Sequence, residues 1–266
     1  MDDCRLSSLA FDIAASAGWY SSIAGLLAGF AFVAVLLPLD HRGSEQQDSG
    51  TGDAVVAFVC AFFSLLILAI TYAVLAGRVG EGPVAGVAAH EQMLNGAAFG
   101  AATLLLLFGL RGVLRSFGAN REVFEPAQGV ILVVTSVVGP AMLLALQFSN
   151  SLDVERYRLS VQTPGSGCVA SGLPPGVWIN LAITGLGLVA VVALAVLHER
   201  LPRREGVQSL VAKSVLAFTA LTVFWNSIVL PLLSPATVAG ALFEHVVLAL
   251  TASLTVAFSA SAWASR

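Results

Sequence analysis

Charged side chains are scarce in this chain, and lysine is almost absent from it. Aspartate, glutamate, lysine and arginine make up 11% of the 266 residues, and Lys213 is the single lysine among thirteen basic residues. So low a charge content is not typical of soluble domains, and no basic patch for a nucleic acid is present. Together with a mean hydropathy of +0.88, it predicts an integral membrane protein.

Several kinds of chemistry lack the residues they need. No glycine-rich phosphate loop occurs, and the four histidines (His41, His90, His198 and His245) are scattered, so neither a cofactor nor a metal is predicted. A retinal pigment of the usual kind needs a lysine in the seventh helix, where this chain has none. The start of the chain, from Met1 to Cys4, lacks the basic residues of a cleavable signal peptide.

Long apolar stretches fill most of the chain, and each is long enough to cross a bilayer as a helix. Open strands would leave backbone groups unpaired in lipid, and the alternation of a membrane barrel is absent. We therefore predict an all-α, polytopic membrane protein that forms one domain over residues 1–266. The seven predicted spans are 18–39, 54–76, 83–110, 127–148, 176–198, 208–232 and 235–262.

The basic residues predict how the chain lies in the membrane. Nine of them fall at one set of helix ends, namely Arg42, Arg111, Arg115, Arg121, Arg200, Arg203, Arg204, Lys213 and Arg266. The other ends hold four, which are Arg5, Arg78, Arg156 and Arg158. The positive-inside rule places the first set in the cytoplasm, so the N-terminus is predicted outside and the C-terminus inside.

Two pairs of helices have similar sequences. Gly25-Leu-Leu-Ala-Gly in helix one and Gly185-Leu-Gly-Leu in helix five lead to Asp40-His41-Arg42 and His198-Glu199-Arg200. Val84-Ala85-Gly86 in helix three matches Val238-Ala239-Gly240 in helix seven. These matches predict a parallel repeat of three helices, a linker helix and three more helices. In this order the chain resembles the SWEET sugar transporters, although it lacks their Pro-Gln signature.

Residues 21–110 resemble the first three helices of the Orai calcium channels. The resemblance lies in the run from Leu26 to Val35 and in His90-Glu91-Gln92-Met93 before helix three. It implies a channel, but the acidic filter position of the Orai family falls on Leu37. Calcium selectivity is therefore not implied, and the predicted orientation is the opposite of the family's.

Ionisable residues inside membrane helices are candidates for function because they are costly there. Glu244 and His245 are predicted nine or ten residues into helix seven, near the membrane midplane. There Glu244 is expected either to stay protonated or to pair with a histidine. His90 and Glu91 occupy a comparable place in helix three, so we predict that they are its partners. The alternative is that His90 and Glu91 lie at the outer interface and that Glu244 is structural.

Amide side chains cluster at the same predicted depth. The two interpretations are a polar cavity open to the outside, with Asn95, Asn180 and Asn226 on the pathway, and simple hydrogen bonding between helices. The six amides are Gln92, Asn95, Gln147, Asn150, Asn180 and Asn226.

The longest connection, residues 149–175, is predicted to be an outer loop that covers this cavity. Within it, Tyr157, Leu159 and Val161 alternate as in a short strand. Cys4 and Cys168 both fall on the oxidising side, so they are a candidate disulfide, whereas Cys60 lies in helix two. Gly25 with Gly29 and Gly96 with Gly100 are expected where helices approach closely, and Pro140 and Pro231 where helices kink or end.

Three functions are consistent with these features. The first is a transport protein, either a channel or a carrier, for a small solute or ion. The second is an intramembrane enzyme that uses Glu244 or Glu91 as an acid on a lipid or isoprenoid. The third is a receptor or accessory subunit. The expected partners are the bilayer, a small solute, ion or lipid ligand, and a second copy of the chain. The high arginine, alanine and glycine content predicts a bacterial inner-membrane protein.

Overall fold

The computed structural model describes residues 12–40, 49–78, 83–116, 121–162, 174–202, 206–234 and 240–265. In these ranges all regular structure is helical and no strand occurs. Seven helices of the described chain are long and apolar enough to cross a membrane. The predicted all-α polytopic fold is therefore confirmed, while the side on which each terminus lies stays a prediction.

The seven long helices are numbered α1 to α7 in chain order. α1 is Ile13–Asp40, α2 is Ser49–Ala76 and α3 is Pro83–Ser116. α4 covers residues 121–162 and consists of Arg121–Val133, a π-helical turn Val134–Val138 and Gly139–Gln162. α5 is Pro175–Val196, followed by the short turn His198–Arg200. α6 covers residues 207–232 as Val207–Phe224, a second π turn Trp225–Val229 and the turn Leu230–Leu232, and α7 is Ala241–Ala264.

Two helix boundaries differ from the prediction. α4 continues to Gln162, well past residue 148, so the predicted strand around Tyr157 is wrong and most of the predicted outer loop is helix. α7 begins at Ala241 and not at residue 235, because Gly240 has extended backbone angles and no helix can include it. The candidate disulfide partners Cys4 and Cys168 lie outside the described residues, and Cys60 is a free, buried thiol.

α3 is the central helix of the bundle. It contacts α1, α2, α4, α6 and α7. α1 packs closely on α2, and α6 packs on α2 and α3. α5 packs on α4 and α7 but, in the described chain, is not a close neighbour of α6. The packing therefore does not repeat between the two sets of three helices, since α1 pairs with α2 whereas α5 pairs with α7.

Glycines in α3 bring α4 close to it. A Cβ added at Gly86 would overlap the ring of Tyr157, and one at Gly100 would overlap Leu143. One at Gly96 would lie 2.6 Å from the Asn150 side-chain nitrogen. By contrast, nothing lies within 4 Å of a Cβ added at Gly25 or Gly29. The expected close approach therefore occurs at Gly96 and Gly100, whereas no described neighbour contacts the glycine pair of α1.

Pro140 accounts for the irregular turn in α4. A proline has no N–H, so Pro140 cannot donate to the Ser136 carbonyl four residues earlier. The helix widens just before it, with the Gly139 N–H donating to the Val134 carbonyl. The Ser259 hydroxyl on α7 donates to the Ser136 carbonyl at 2.5 Å and replaces the missing donor. Pro231 lies in the last turn of α6, where the helix ends. Both prolines therefore act as predicted.

Candidate functional site

One end of the bundle holds most of the buried charge. Since the helices alternate in direction, α1, α3, α5 and α7 begin at this end, and α2, α4 and α6 finish there. We call it the polar end. Ion pairs at this end join Arg78 to Glu91 and Asp153 to Arg156. A third set of charges, more completely buried than these two pairs, forms the candidate site.

Glu244 lies in the first turn of α7 and is fully buried. One carboxylate oxygen accepts a hydrogen bond from Arg158 Nη2 at 2.5 Å, and the other accepts one from the Asn180 side-chain nitrogen. The unpaired N–H groups and the dipole at a helix start favour a carboxylate at this position. Glu244 therefore links α7 to α4 and to α5 through hydrogen bonds.

Arg158 lies between two carboxylates. On α4, Glu155 is one turn away, and its Oε1 is 2.6 Å from Arg158 Nη1. Arg158 and Glu155 are buried, as Glu244 is. One guanidinium thus faces two acidic groups, and the three residues together carry an excess of one negative charge when both acids are ionised.

His245 joins this set through Asn180. The Asn180 nitrogen donates to Glu244, so its oxygen faces His245 Nδ1 at a distance of 2.8 Å. That oxygen can only accept, so Nδ1 carries the hydrogen and Nε2 is the basic nitrogen of His245. The result is one polar network across α4, α5 and α7. We call it the charged cluster, which consists of Glu155, Arg158, Asn180, Glu244 and His245.

Glycine lets Glu155 approach the beginning of α5. α5 starts with Pro175, which suits a first helical position because its missing N–H would have no partner there. Gly176 follows, and a Cβ at this position would overlap the Glu155 carboxylate. The two acids of the charged cluster therefore lie at two different helix beginnings, Glu155 at α5 and Glu244 at α7.

Two predicted partners of Glu244 lie elsewhere. Glu91 pairs with Arg78 at the end of α2. His90 Nδ1 is 2.8 Å from the Gly86 carbonyl on its own helix, and its ring packs against Phe243. Among the described residues, no hydrogen bond or ion pair links either of them to Glu244. The charge partner of Glu244 is an arginine and not a histidine.

The position predicted for Glu244 within its helix is wrong, whereas its depth in the membrane stays a prediction. It lies three residues past Ala241, or about 5 Å along the helix at 1.5 Å per residue. The prediction of a position near the midplane assumed that the helix starts at Pro235. The charged cluster is buried, but it is one to two turns from the polar end.

Most of the amides bond between helices without reaching the charged cluster. Asn226 donates to Asn95 at 2.9 Å and so joins α6 to α3. In the amide orientation that satisfies both of its polar atoms, the Gln147 side-chain nitrogen on α4 donates to the Met93 carbonyl of α3 at 3.0 Å. Asn180 is the one predicted amide that the fold places in the charged cluster. The predicted cavity lined by all of the amides stays a prediction.

The sequence does not predict Arg158 and Glu155 as site residues, because hydropathy places both in the connection 149–175. A signal was present: Asp153 with Arg156 and Glu155 with Arg158 are acid–base pairs three residues apart, a spacing typical of a continuing helix. No group of three or more His, Cys, Asp or Glu side chains in the described ranges is arranged to hold a metal ion.

The chain has no significant match among known proteins. No family model matches the chain, and neither a curated protein nor a solved structure is significantly similar to it. The resemblances to SWEET and Orai proteins therefore stay expectations from sequence.

Proposed function

We propose that this chain is a membrane transport protein for a small solute or ion, and that the charged cluster lies on the route of the solute. The observation that carries the proposal is the buried set of Glu155, Arg158 and Glu244, which links α4 to α7 and, through Asn180, to α5 at one end of the bundle. Buried ionisable groups in membrane helices commonly belong to substrate or ion pathways.

Stability alone is a poor reason for such a cluster. Replacing a buried ion pair by apolar residues of similar volume is often neutral or stabilising, by about 1–4 kcal/mol. An apolar contact between α4, α5 and α7 would therefore hold the helices together at least as well. A set of charges that can exchange partners suits a site at which a solute must bind and be released.

The geometry gives less support to an intramembrane enzyme that uses Glu244 as an acid. Both carboxylate oxygens of Glu244 accept hydrogen bonds, one from Arg158 and one from Asn180. A general acid has to present a proton to its substrate, whereas this carboxyl presents lone pairs to donors of the protein. An accessory subunit, for its part, requires no buried acid.

The test is transport by the full chain in lipid vesicles. The panel is glucose, alanine, choline and lactate, which represent neutral, zwitterionic, cationic and anionic solutes. We expect at least one to accumulate, and Glu244→Gln to abolish its uptake while leaving expression and the melting temperature near those of the wild type. Gln keeps the size and one acceptor oxygen but removes the charge.

The matched control is Asp153→Asn, which removes an acid from the same end of α4 but outside the charged cluster. It should transport normally. Full activity of Glu244→Gln would contradict the proposal. If Glu244 is structural, Gln should be tolerated and Glu244→Ala should lower the free energy of unfolding by about 1–3 kcal/mol, because the donors lose their acceptor.

A further inference from the structure

The two acids of the charged cluster are held differently. Each oxygen of Glu244 accepts a hydrogen bond. Glu155 Oε1 is 2.6 Å from Arg158 Nη1 in an ion pair, but no other group of the described chain bonds to this oxygen, although the residue is only 2% exposed. Of the two acids, Glu155 is therefore the one that can leave Arg158 with the smaller loss of hydrogen bonding.

The place that Glu155 fills has the features of a carboxylate site. Arg158 supplies a buried guanidinium, which suits planar carboxylates. The beginning of α5 supplies the positive end of a helix of 22 residues. Gly176 provides the space for a carboxylate at this helix start, since a Cβ at position 176 would overlap the Glu155 carboxylate. A carboxylate of the chain itself already occupies this position.

We propose that the transported solute is a small carboxylate, and that its carboxylate displaces Glu155 from Arg158 and from the beginning of α5. This inference rests on the proposed transport function and names its substrate class. Glu244 keeps its bonds to Arg158 and Asn180 throughout, so its negative charge holds the Arg158 guanidinium in place while Glu155 moves away.

The charge balance requires a proton to accompany the solute. The cluster already has two carboxylates for one guanidinium, so adding a third would leave two uncompensated negative charges in a buried place. If Glu155 takes one proton from the solution as it leaves, an O–H bond forms on its carboxyl and the net charge around Arg158 is unchanged. One proton therefore enters for each carboxylate bound.

The other charged and titratable groups near Glu155 are few. On α7 they are Glu244 and His245, and on α3 His90 is within electrostatic range of Arg158. Asp153 and Arg156 lie on the same helix and pair with each other. α5, the helix that Glu155 faces, contains no titratable residue. Glu155 is thus the acid of the cluster that is both near Arg158 and not fixed by hydrogen bonds.

The first experiment measures binding of lactate and of lactamide, its neutral counterpart, to the purified full chain at mildly acidic pH. We expect lactate to raise the melting temperature and lactamide to have no effect. Glu155→Gln removes the competing charge and should bind lactate about tenfold more tightly, since like charges at one site oppose each other. Asp153→Asn should bind lactate as the wild type does.

The second measurement counts protons in weakly buffered solution. Lactate should cause uptake of about one proton per wild-type molecule by the charge balance above, and of none by Glu155→Gln. A residue with a purely structural role would not change this number. If Glu155→Gln folds poorly, Glu155→Ala should give the same two results.

Three outcomes would overturn the proposal. These are equal binding of lactate and lactamide, unchanged or weaker lactate binding in both Glu155 variants, and proton uptake that persists without Glu155. The vesicle panel separates this failure from failure of the transport function. If glucose or choline is taken up and this uptake depends on Glu244, the transport function is supported and the carboxylate as substrate is refuted. If no solute is taken up, both the transport function and the carboxylate substrate are refuted.

Discussion

Arg158 is the residue on which the charged cluster depends, because it contacts both acids. Replacing Arg158 by Gln leaves Glu155 and Glu244 buried without a counter-charge, and loss of one partner from a buried ion pair typically costs about 3–5 kcal/mol. We expect a loss of unfolding free energy of that size in detergent.

The matched variant is Arg78→Gln, which breaks the ion pair with Glu91. The Arg78 side chain is 33% exposed, so water screens its charge, and although Glu91 is buried the loss should be smaller than in Arg158→Gln. Equal losses in the two variants would show that the charged cluster is no more desolvated than the Arg78–Glu91 pair.

Gly176 permits a second prediction at the level of single residues. A Cβ at this position would overlap the Glu155 carboxylate, so Gly176→Ala should destabilise the protein by about 1–3 kcal/mol, as overpacking commonly does. In a Glu155→Ala background the same change should cost much less, because the atoms that it meets are gone. Unfolding of the four proteins tests this coupling, and additive losses would contradict it.

At the residue level, the sequence predicts three of the five residues of the charged cluster. Glu244, His245 and Asn180 were predicted because polar residues inside apolar stretches are conspicuous. Arg158 and Glu155 were not, since a region rich in charges resembles a loop when only hydropathy is considered. The partners of Glu244 depend on how the helices pack, and hydropathy carries no information on the faces that meet.

At the level of helices, the contact between α3 and α4 depends on glycine. Gly86→Ala should lower the unfolding free energy by about 1–3 kcal/mol, because the Tyr157 ring cannot bend away as an aliphatic side chain can. Gly25→Ala on α1 is the control and should cause no loss, since nothing lies within 4 Å of the added atom. A loss at Gly25 would indicate that another molecule covers this face of α1.

Helix ends were predicted less well than helix centres. The apolar stretches identified all seven crossings, because the bilayer imposes a minimum length on each. The end of α4 was missed, since the helix continues beyond its apolar part into a segment whose charges pair with one another. The beginning of α7 was placed too early because residues 235–239 are as apolar as the helix that follows.

For the whole molecule, the number and type of elements were predictable but their arrangement was not. The internal sequence matches suggested two equivalent halves, whereas the packing pairs α1 with α2 and α5 with α7. Similar apolar sequences arise easily in membrane helices, so they carry little information on which helices become neighbours.

Orientation in the membrane is testable for the molecule as a whole. The basic residues predict that the N-terminus is outside and the C-terminus inside, so that the polar end faces outward. A reporter that is active only in the cytoplasm should be silent when fused to the N-terminus and active at the C-terminus. The reverse pattern would place the charged cluster on the cytoplasmic side.

The hydrogen bond from Ser259 to the Ser136 carbonyl ties together two positions that are far apart in the chain. Pro140 leaves that carbonyl without its helical donor, so the hydroxyl at position 259 is needed only while position 140 is proline. In a library randomised at both positions, survivors with proline at 140 should be enriched in serine or threonine at 259, and survivors without it should accept alanine there. The two sites would then be inherited as a pair, and a substitution at one would decide which substitutions the other tolerates.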